Sequence, residues 1–194
     1  MKLHEIINRA DIARDDNPEE SMVGWAYSTA KQKDAKQIGS LKSNLDTEVY
    51  KFPDHLKIFV MNGGKPVVYL ALATFKDGFK VNVVNAELEV KGKGLAIQLY
   101  KAVTSSTNKP IYSDSTQTAA SKHAIWNKLI QQFPNKVVAY DQRTGEDLPI
   151  TMTKQGPAIN GNQPIYTDPK RNTAGVKAPT DAQTQRTRLL KLLP

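Results

Sequence analysis

The run Lys91–Ser106 constrains the fold more than any other part of this 194-residue chain. It places two glycines, Gly92 and Gly94, between a β-rich segment and an amphipathic helix. The first N–H groups of a helix lack helical acceptors and point towards an anion bound at the helix start. Glycine allows that anion a close approach, and Lys91 and Lys93 add positive charge. The run therefore indicates a phosphate-binding turn or, more simply, a basic strand-to-helix turn without a ligand.

A β-meander is predicted before this run. Its three strands are expected at Leu56–Met61, Lys65–Thr74 and Phe79–Val90. They are separated by Asn-Gly-Gly and Lys-Asp-Gly, which are turn sequences in which a positive φ costs little. The middle strand is almost entirely apolar, so it should be central and covered on both faces.

Helices and strands alternate after the run. A strand is predicted at Pro110–Ser113, a helix at Thr118–Gln132 and a strand at Lys136–Tyr140. Near the amino end, residues 3–12 have one apolar side, and Pro18 can begin a second helix that carries Met22. Residues 31–44 are polar and weakly patterned, which predicts a loop or a mobile helix.

The order strand, strand, strand, glycine turn, helix, strand, helix, strand resembles that of the GNAT superfamily of N-acetyltransferases. The GNAT signature is Arg or Gln, two residues, Gly, one residue, then Gly or Ala, and Lys91, Gly94 and Ala96 stand at those places. The resemblance extends over about residues 56–140, and Tyr112–Leu129 is similar to phage-type GNAT-like proteins. It implies an α/β fold with a mixed, mostly antiparallel twisted sheet and helices on both faces.

The resemblance also implies that the protein binds acetyl-CoA. Residues Lys91–Ala96, here called the cradle, would hold the pyrophosphate, and backbone near the end of the preceding strand would pair with the pantetheine arm. The implied cofactor-binding residues are Asn85, Ala86, Lys91, Gly92, Lys93, Gly94, Leu95 and Ala96.

Acyl transfer to an amine needs a base, donors for the oxyanion and an acid for the leaving thiolate. In many GNAT enzymes the base is a carboxylate early on the fourth strand, but Phe79–Val84 contains none. Glu87 is therefore the candidate base, or else a solvated residue on a strand edge. The acid is commonly a tyrosine in the helix after the fifth strand. That place is held by Trp126, whose indole N–H cannot protonate a thiolate.

Three further residues are candidates for the catalytic site. Tyr112 is the tyrosine nearest the cleft and can donate a proton, although strand tyrosines usually serve packing. Ser113 and Asp114 follow at the carboxyl end of the fifth strand, where sheet proteins place ligands. Their alternative role is a simple entry turn to the next helix.

The chain is predicted to comprise a GNAT-like acyl-CoA-binding domain, residues 1–150, and a Pro/Gly-rich basic extension, residues 151–194. Regular structure is not expected over Gly156–Pro179, and Thr180 is predicted to cap a short closing helix that carries a leucine cluster. The extension has seven Lys or Arg and two Asp, which is +5 of the net charge of +8. It is either a solvated linker or an arm for nucleic acid or an acidic partner.

Composition limits the remaining possibilities. There is no cysteine, so disulfides and thiolate metal sites are excluded. The amino end lacks a signal-peptide core and no apolar run approaches membrane-spanning length, so a cytoplasmic monomer or homodimer with neither metal nor membrane partner is expected. The expected function is transfer of an acetyl group from acetyl-CoA to a primary amine of a small molecule, protein or nucleobase. The alternative is a catalytically inactive GNAT-derived binding protein, such as a phage factor that acts on a host protein or nucleic acid through its surface and basic tail.

Overall fold

The computed structural model describes residues 21–32, 35–114, 125–154, 156–159, 163–165 and 188–194. Within them the chain is an α/β protein with a mixed, mostly antiparallel sheet, as predicted. The strands are β1 (Lys36–Gly39), β2 (Thr47–Lys51), β3 (His55–Asn62), β4 (Lys65–Phe75), β5 (Gly78–Ala86), β6 (Ile111–Tyr112), β7 (Val137–Asp141), β8 (Asp147–Thr153), β9 (Gly156–Ile159), β10 (Gln163–Pro164) and β11 (Arg188–Leu192). The α-helices are α1 (Met22–Gln32), α2 (Leu95–Thr107) and α3 (Asn127–Gln132), and Leu88–Val90 forms a 3-10 turn.

The strands lie side by side in the order β1-β2-β3-β4-β5-β6-β11-β7-β8-β9-β10. Neighbours in this order pair antiparallel, apart from β5 and β6, which run parallel. The predicted meander is confirmed in β3, β4 and β5. β4 lies between the other two and has six consecutive buried residues, as its apolar sequence predicted. In the described ranges, no helix has both the length and the apolarity needed to cross a membrane.

Alternate residues of the central strands belong to two different hydrophobic clusters. In β3, Ile58 and Val60 belong to the larger cluster, which also contains residues of α2 and α3. Phe59 and Met61 belong to the second cluster, together with three residues of α1. Successive strand side chains point to opposite faces, so both faces of the meander contribute to the core. Each fully buried Val, Leu, Ile or Phe side chain contributes roughly 1.5–3 kcal/mol.

The carboxyl-terminal helix predicted over the leucine cluster is wrong for Arg188–Leu192, which form strand β11. Leu190 and Leu192 join the larger cluster, whereas Leu189 packs in a third cluster with Tyr112 and Tyr140. This alternation is that of a strand buried on both faces. Pairing with β6 and β7, which are distant in sequence, overrides the local helical pattern.

Three other predicted boundaries differ from the structure. Residues 31–44, expected to be a loop or helix, include the end of α1 and the edge strand β1. β8 crosses residue 150, and β9 and β10 lie in the segment expected to be irregular. The third predicted strand ends at Ala86 because the chain enters the 3-10 turn. The second predicted helix is confirmed as α1, while the first (residues 3–12), the cap at Thr180 and the start of the Thr118–Gln132 helix lie outside the described residues.

Two basic residues of the carboxyl-terminal extension are built into the sheet. The Lys191 ammonium lies 2.9 Å from an Asp147 carboxylate oxygen, and Lys191 is only 8% exposed. The Arg188 Nε lies 3.5 Å from an Asp141 carboxylate oxygen. These two charges are therefore neutralised within the fold rather than presented on a solvated arm.

We expect Gly78→Ala to destabilise the protein by roughly 1–3 kcal/mol. A Cβ at Gly78 would lie 2.2 Å from the Pro110 carbonyl oxygen, at the point where β5 begins to pair with β6. Urea unfolding of both proteins measures the loss. The control is Gly63→Asn, in a turn at φ 57° with no atom within 4 Å of the added Cβ, because asparagine tolerates this conformation. Equal unfolding midpoints for Gly78→Ala and wild type would contradict the close packing at Pro110.

Candidate functional site

The cradle lies where the carboxyl end of β5 leads through the 3-10 turn into α2. Gly92 has φ 82° and Gly94 has φ 78°, a left-handed conformation that favours glycine. Gly94 is the N-cap of α2, and its carbonyl accepts the first helical hydrogen bond, from Gln98 N at 3.1 Å. The N–H groups of Gly94, Leu95, Ala96 and Ile97 therefore precede the first helical bond and lack helical acceptors.

Two other amides of the cradle hold the turn together. Lys91 N donates to the Glu87 carbonyl at 3.1 Å, and Lys93 N donates to the Val90 carbonyl at 3.2 Å. The Lys91 and Lys93 residues are themselves exposed. A Cβ placed on either cradle glycine would meet no atom within 4 Å, so the space in front of these residues is open. The cradle thus combines helix-start amides, two lysines and room for an anion.

The edge of β5 next to the cradle lies beyond its short pairing with β6. The parallel pairing of these strands covers only Phe79 with Ile111 and Lys80 with Tyr112. β5 continues to Ala86 and stays paired with β4 on its other side. In the described part of the chain, no strand pairs with the β6-facing edge of β5 beyond Lys80. That stretch can accept an extended ligand by backbone hydrogen bonds.

A β-bulge lies in β5 just beyond its pairing with β6. Leu72 pairs with Val81 and Ala71 pairs with Val83, which leaves Asn82 as an extra residue in β5. A bulge bends its strand and increases the local twist. The extra residue comes shortly after the part of β5 that pairs with β6.

The last amide of β5 that points away from β4, that of Ala86, already donates to a side chain. Glu87 N donates to the Val67 carbonyl of β4 at 2.9 Å, so the alternate amide, Ala86 N, points away from β4. Ala86 N donates to the Asn85 side-chain carbonyl oxygen at 2.9 Å. The Asn85 Nδ2 lies 3.1 Å from the sulfur of Met22 at the start of α1. A ligand that pairs with Ala86 must displace the Asn85 oxygen.

The predicted base, Glu87, lies between the cradle and the start of α1. Its carboxylate accepts a hydrogen bond from the Ser21 hydroxyl. The same Ser21 oxygen accepts from Gly24 N at 3.0 Å and so caps α1. The structure thus brings Glu87 together with Ser21, which the sequence analysis missed. The preference of serine for helix N-caps is the signal that would have found it.

Tyr112 is directed towards the opposite end of β5. Its hydroxyl donates to an Asp77 carboxylate oxygen at 2.5 Å, and its ring packs edge-on against Tyr140 with centroids 5.1 Å apart. Burial raises the pKa of Tyr112, and the hydrogen bond to Asp77 raises it further. Asp77 precedes β5 whereas the cradle follows it, so roughly 25 Å of strand separates the two. The structure does not bring the Tyr112 hydroxyl and the cradle together.

Ser113 extends the pairing of β6 with β11. Its N–H donates to the Leu190 carbonyl at 2.7 Å, and Leu190 N donates to the Ser113 hydroxyl oxygen at 2.9 Å. Ser113 is fully buried. The Ser113 hydroxyl therefore accepts the hydrogen bond that a backbone carbonyl of β6 would otherwise accept, and it stabilises the pairing with β11.

Asp114 lies near a buried phenol, that of Tyr100. Tyr100 of α2 is fully buried, packs edge-on against Trp126 with centroids 5.7 Å apart, and has no hydrogen-bond partner for its hydroxyl among the described residues. Burial raises the pKa of Tyr100, and the Asp114 carboxylate adds to this. Tyr100 is therefore a neutral phenol at physiological pH.

Over the described ranges, no three His, Cys, Asp or Glu side chains are grouped closely enough to hold a metal ion. No protein-family model, curated protein or solved structure matches this chain.

We expect Ser113→Ala to lower the free energy of unfolding by about 1–3 kcal/mol, because Leu190 N would be left buried without its acceptor. Ser106→Ala is the matched control. Its hydroxyl also accepts from a backbone amide, that of Lys42 at 3.0 Å, but at an exposed position, so a loss within about 0.5 kcal/mol is expected. Urea unfolding followed by circular dichroism gives both values. Equal losses in the two variants would show that Ser113 has no special role in holding β11.

Proposed function

We propose that this protein is a GNAT-type N-acetyltransferase that moves an acetyl group from acetyl-CoA to a primary amine. The observation that carries the proposal is the junction at the end of β5. There a bulged strand, paired with its parallel neighbour only near its start, runs through a left-handed glycine turn into the first turn of α2. The GNAT resemblance of Lys91, Gly94 and Ala96 falls on this junction. Residues of α1 on one side of the meander and of α2 and α3 on the other support a GNAT-like arrangement of helices on both faces.

The cradle fits a pyrophosphate in charge and in donor set. Amides at the start of α2 would donate to its oxygens, and the Lys91 and Lys93 ammonium groups would balance its negative charge. Gly92 and Gly94 contribute through their conformation and small size. Both have a positive φ, and neither carries a side chain that would fill the space in front of the cradle. The pantetheine arm, which carries amide groups, would extend along the open edge of β5 and pair with Ala86 after the Asn85 oxygen is displaced.

Acetylation requires the acceptor amine to be neutral when it attacks the thioester carbonyl. Glu87 would accept the proton that the amine loses, and the Ser21 hydroxyl would keep that carboxylate oriented. The leaving thiolate would take its proton from water, since a thiol with an ordinary pKa of about 8.5 is mostly protonated at neutral pH. In this proposal, Tyr112 and Ser113 position β6 rather than transfer protons, since their hydroxyls hold Asp77 and Leu190.

A catalytically inactive binding protein is the second candidate. The observation in its favour is that Tyr112, Ser113 and Trp126, which occupy the region of a GNAT acid, are all buried and engaged in the core. In that case the cradle would be a structural turn. The protein would instead bind a host protein or a nucleic acid through its surface and basic extension, for example as a phage factor.

Calorimetric titration with acetyl-CoA, with free CoA alongside, tests the first candidate. We expect micromolar binding for the wild type and at least about hundredfold weaker binding for Gly94→Asp, which places a carboxylate where the pyrophosphate would bind. The control is Gly63→Asp, another left-handed glycine with open space around it but far from the cradle. Aspartate tolerates this conformation, so both variants should fold.

The outcomes of this titration separate the two candidates. Binding that Gly94→Asp abolishes and Gly63→Asp preserves would support the acyltransferase and justify a search for acetylated amines. No binding of the wild type at millimolar acetyl-CoA would refute it and favour the binding protein.

Asn85→Ala gives a second test of the same site. It frees Ala86 N, so acetyl-CoA should bind about two- to tenfold more tightly if the pantetheine arm pairs there. Asn85→Asp is the control because it retains an oxygen that accepts from Ala86 N. Unchanged affinity of the alanine variant, measured by the same calorimetry, would argue against pairing along this edge of β5.

A further inference from the structure

The sheet has a half-exposed region on the same side as α1, next to the part that α1 covers. In this region β3, β4 and β5 align His55 with Ala73 and Ala73 with Lys80. None of the residues that define it is fully buried. We call it the open face, and it consists of Phe52, His55, Lys57, Ala73, Phe75 and Lys80.

Alternation along the strands places the open face on the α1 side. Phe59 and Tyr69 pack in the cluster that contains α1, and Lys57 and His55 follow Phe59 at intervals of two along β3. Residues two apart in a strand point to the same face. Phe52 also packs against this cluster. The open face therefore continues the α1-side surface beyond the helix.

Two lysine–aromatic pairs flank a small residue on this face. The Lys57 ammonium lies 5.3 Å from the centroid of the Phe52 ring, and the Lys80 ammonium lies 5.7 Å from that of Phe75. Ala73 separates the two pairs, and the Cα atoms of His55 and Lys80 on its two sides are about 10 Å apart. The open face therefore has a small side chain in its centre and a lysine ammonium group with an aromatic ring on each side.

The Phe52 and His55 rings are already stacked on one another. Their centroids are 4.3 Å apart and their planes differ by 6°. His55 also bonds the Asp54 carboxylate at 2.7 Å, and its side chain remains 27% exposed. This bond fixes the ring against Phe52. A stacked pair of rings is therefore preformed at one side of the open face.

We propose that the open face binds single-stranded nucleic acid. Lysines at strand positions can neutralise phosphates, and half-exposed rings can stack with unpaired bases regardless of sequence. A duplex keeps its bases stacked and offers no free base face to these rings. The site shares no residue with the cradle, so it does not depend on the proposed acetyltransferase activity.

Fluorescence anisotropy with labelled oligothymidylate of about 20 nucleotides, recorded between about 50 and 200 mM salt, tests this proposal on the full chain. The test variant is Lys57→Gln with Lys80→Gln. Its control is Lys101→Gln with Lys128→Gln, which removes the same charge from exposed positions on α2 and α3. Lys101 also lies over a ring, that of Phe133 at 4.5 Å, so the control removes the same kind of contact elsewhere.

We expect the test variant to bind the oligonucleotide at least about tenfold more weakly than wild type. Its salt slope should fall by about 1.4, which is about 0.7 for each phosphate that a lysine no longer neutralises. The control variant should change the affinity and the salt slope only as far as its lower net charge requires. Equal losses in the test and control variants would overturn the proposal and assign the binding to general charge or to the basic extension. The absence of wild-type binding at the lower salt concentration would overturn it as well.

Phe75→Leu separates base stacking from charge. It should weaken oligothymidylate binding about five- to tenfold and leave binding of heparin, a polyanion without bases, unchanged. Urea unfolding confirms that the variant is folded, because Phe75 also packs edge-on against Tyr112. An equal loss for both ligands, or no loss for either, would show that the rings do not contact bases.

Discussion

β11 joins two parts of the sheet that no other described strand connects. It pairs with β6 on one side and β7 on the other, so β1–β6 and β7–β10 form one sheet through this strand. Its contact with β6 is short, and Ser113 extends it by offering a hydroxyl to Leu190 N. Lys191 fixes the same strand through Asp147. The position of β6 at the side of β5 depends on these contacts.

The two proposed ligand regions lie towards opposite ends of β5. The cradle follows its carboxyl end, and Lys80 of the open face lies near its amino end. The bulge at Asn82 lies between them and changes the direction of the strand. One strand thus contributes to an anion site built from helix-start amides and to a surface built from lysines and aromatic rings. Substitutions at either site can be tested independently because they share no side chain.

Local patterns predicted the parts of the fold that depend on neighbouring residues. The apolar run of β4, the glycine turns of the meander and the entry to α2 at Gly94 all follow from short stretches of sequence. The strand at Arg188–Leu192 could not be predicted in this way, because leucines suit helices and strands alike and the pairing partners are distant in sequence. Likewise, the hydrogen bonds of Asn85 and Tyr112 depend on where other elements end.

The distant pairing of β11 has a consequence for how the chain folds. The meander β3–β5 is built from adjacent hairpins and can form early. β11 can pair only after β6 and β7 are in place, and pairing of strands that are distant in sequence is slow. Until then the facing edges of β6 and β7 expose unpaired N–H and C=O groups beside apolar side chains. Another copy of the same strand fits these edges equally well. Folding at high protein concentration is therefore expected to produce strand-exchanged dimers as its main by-product.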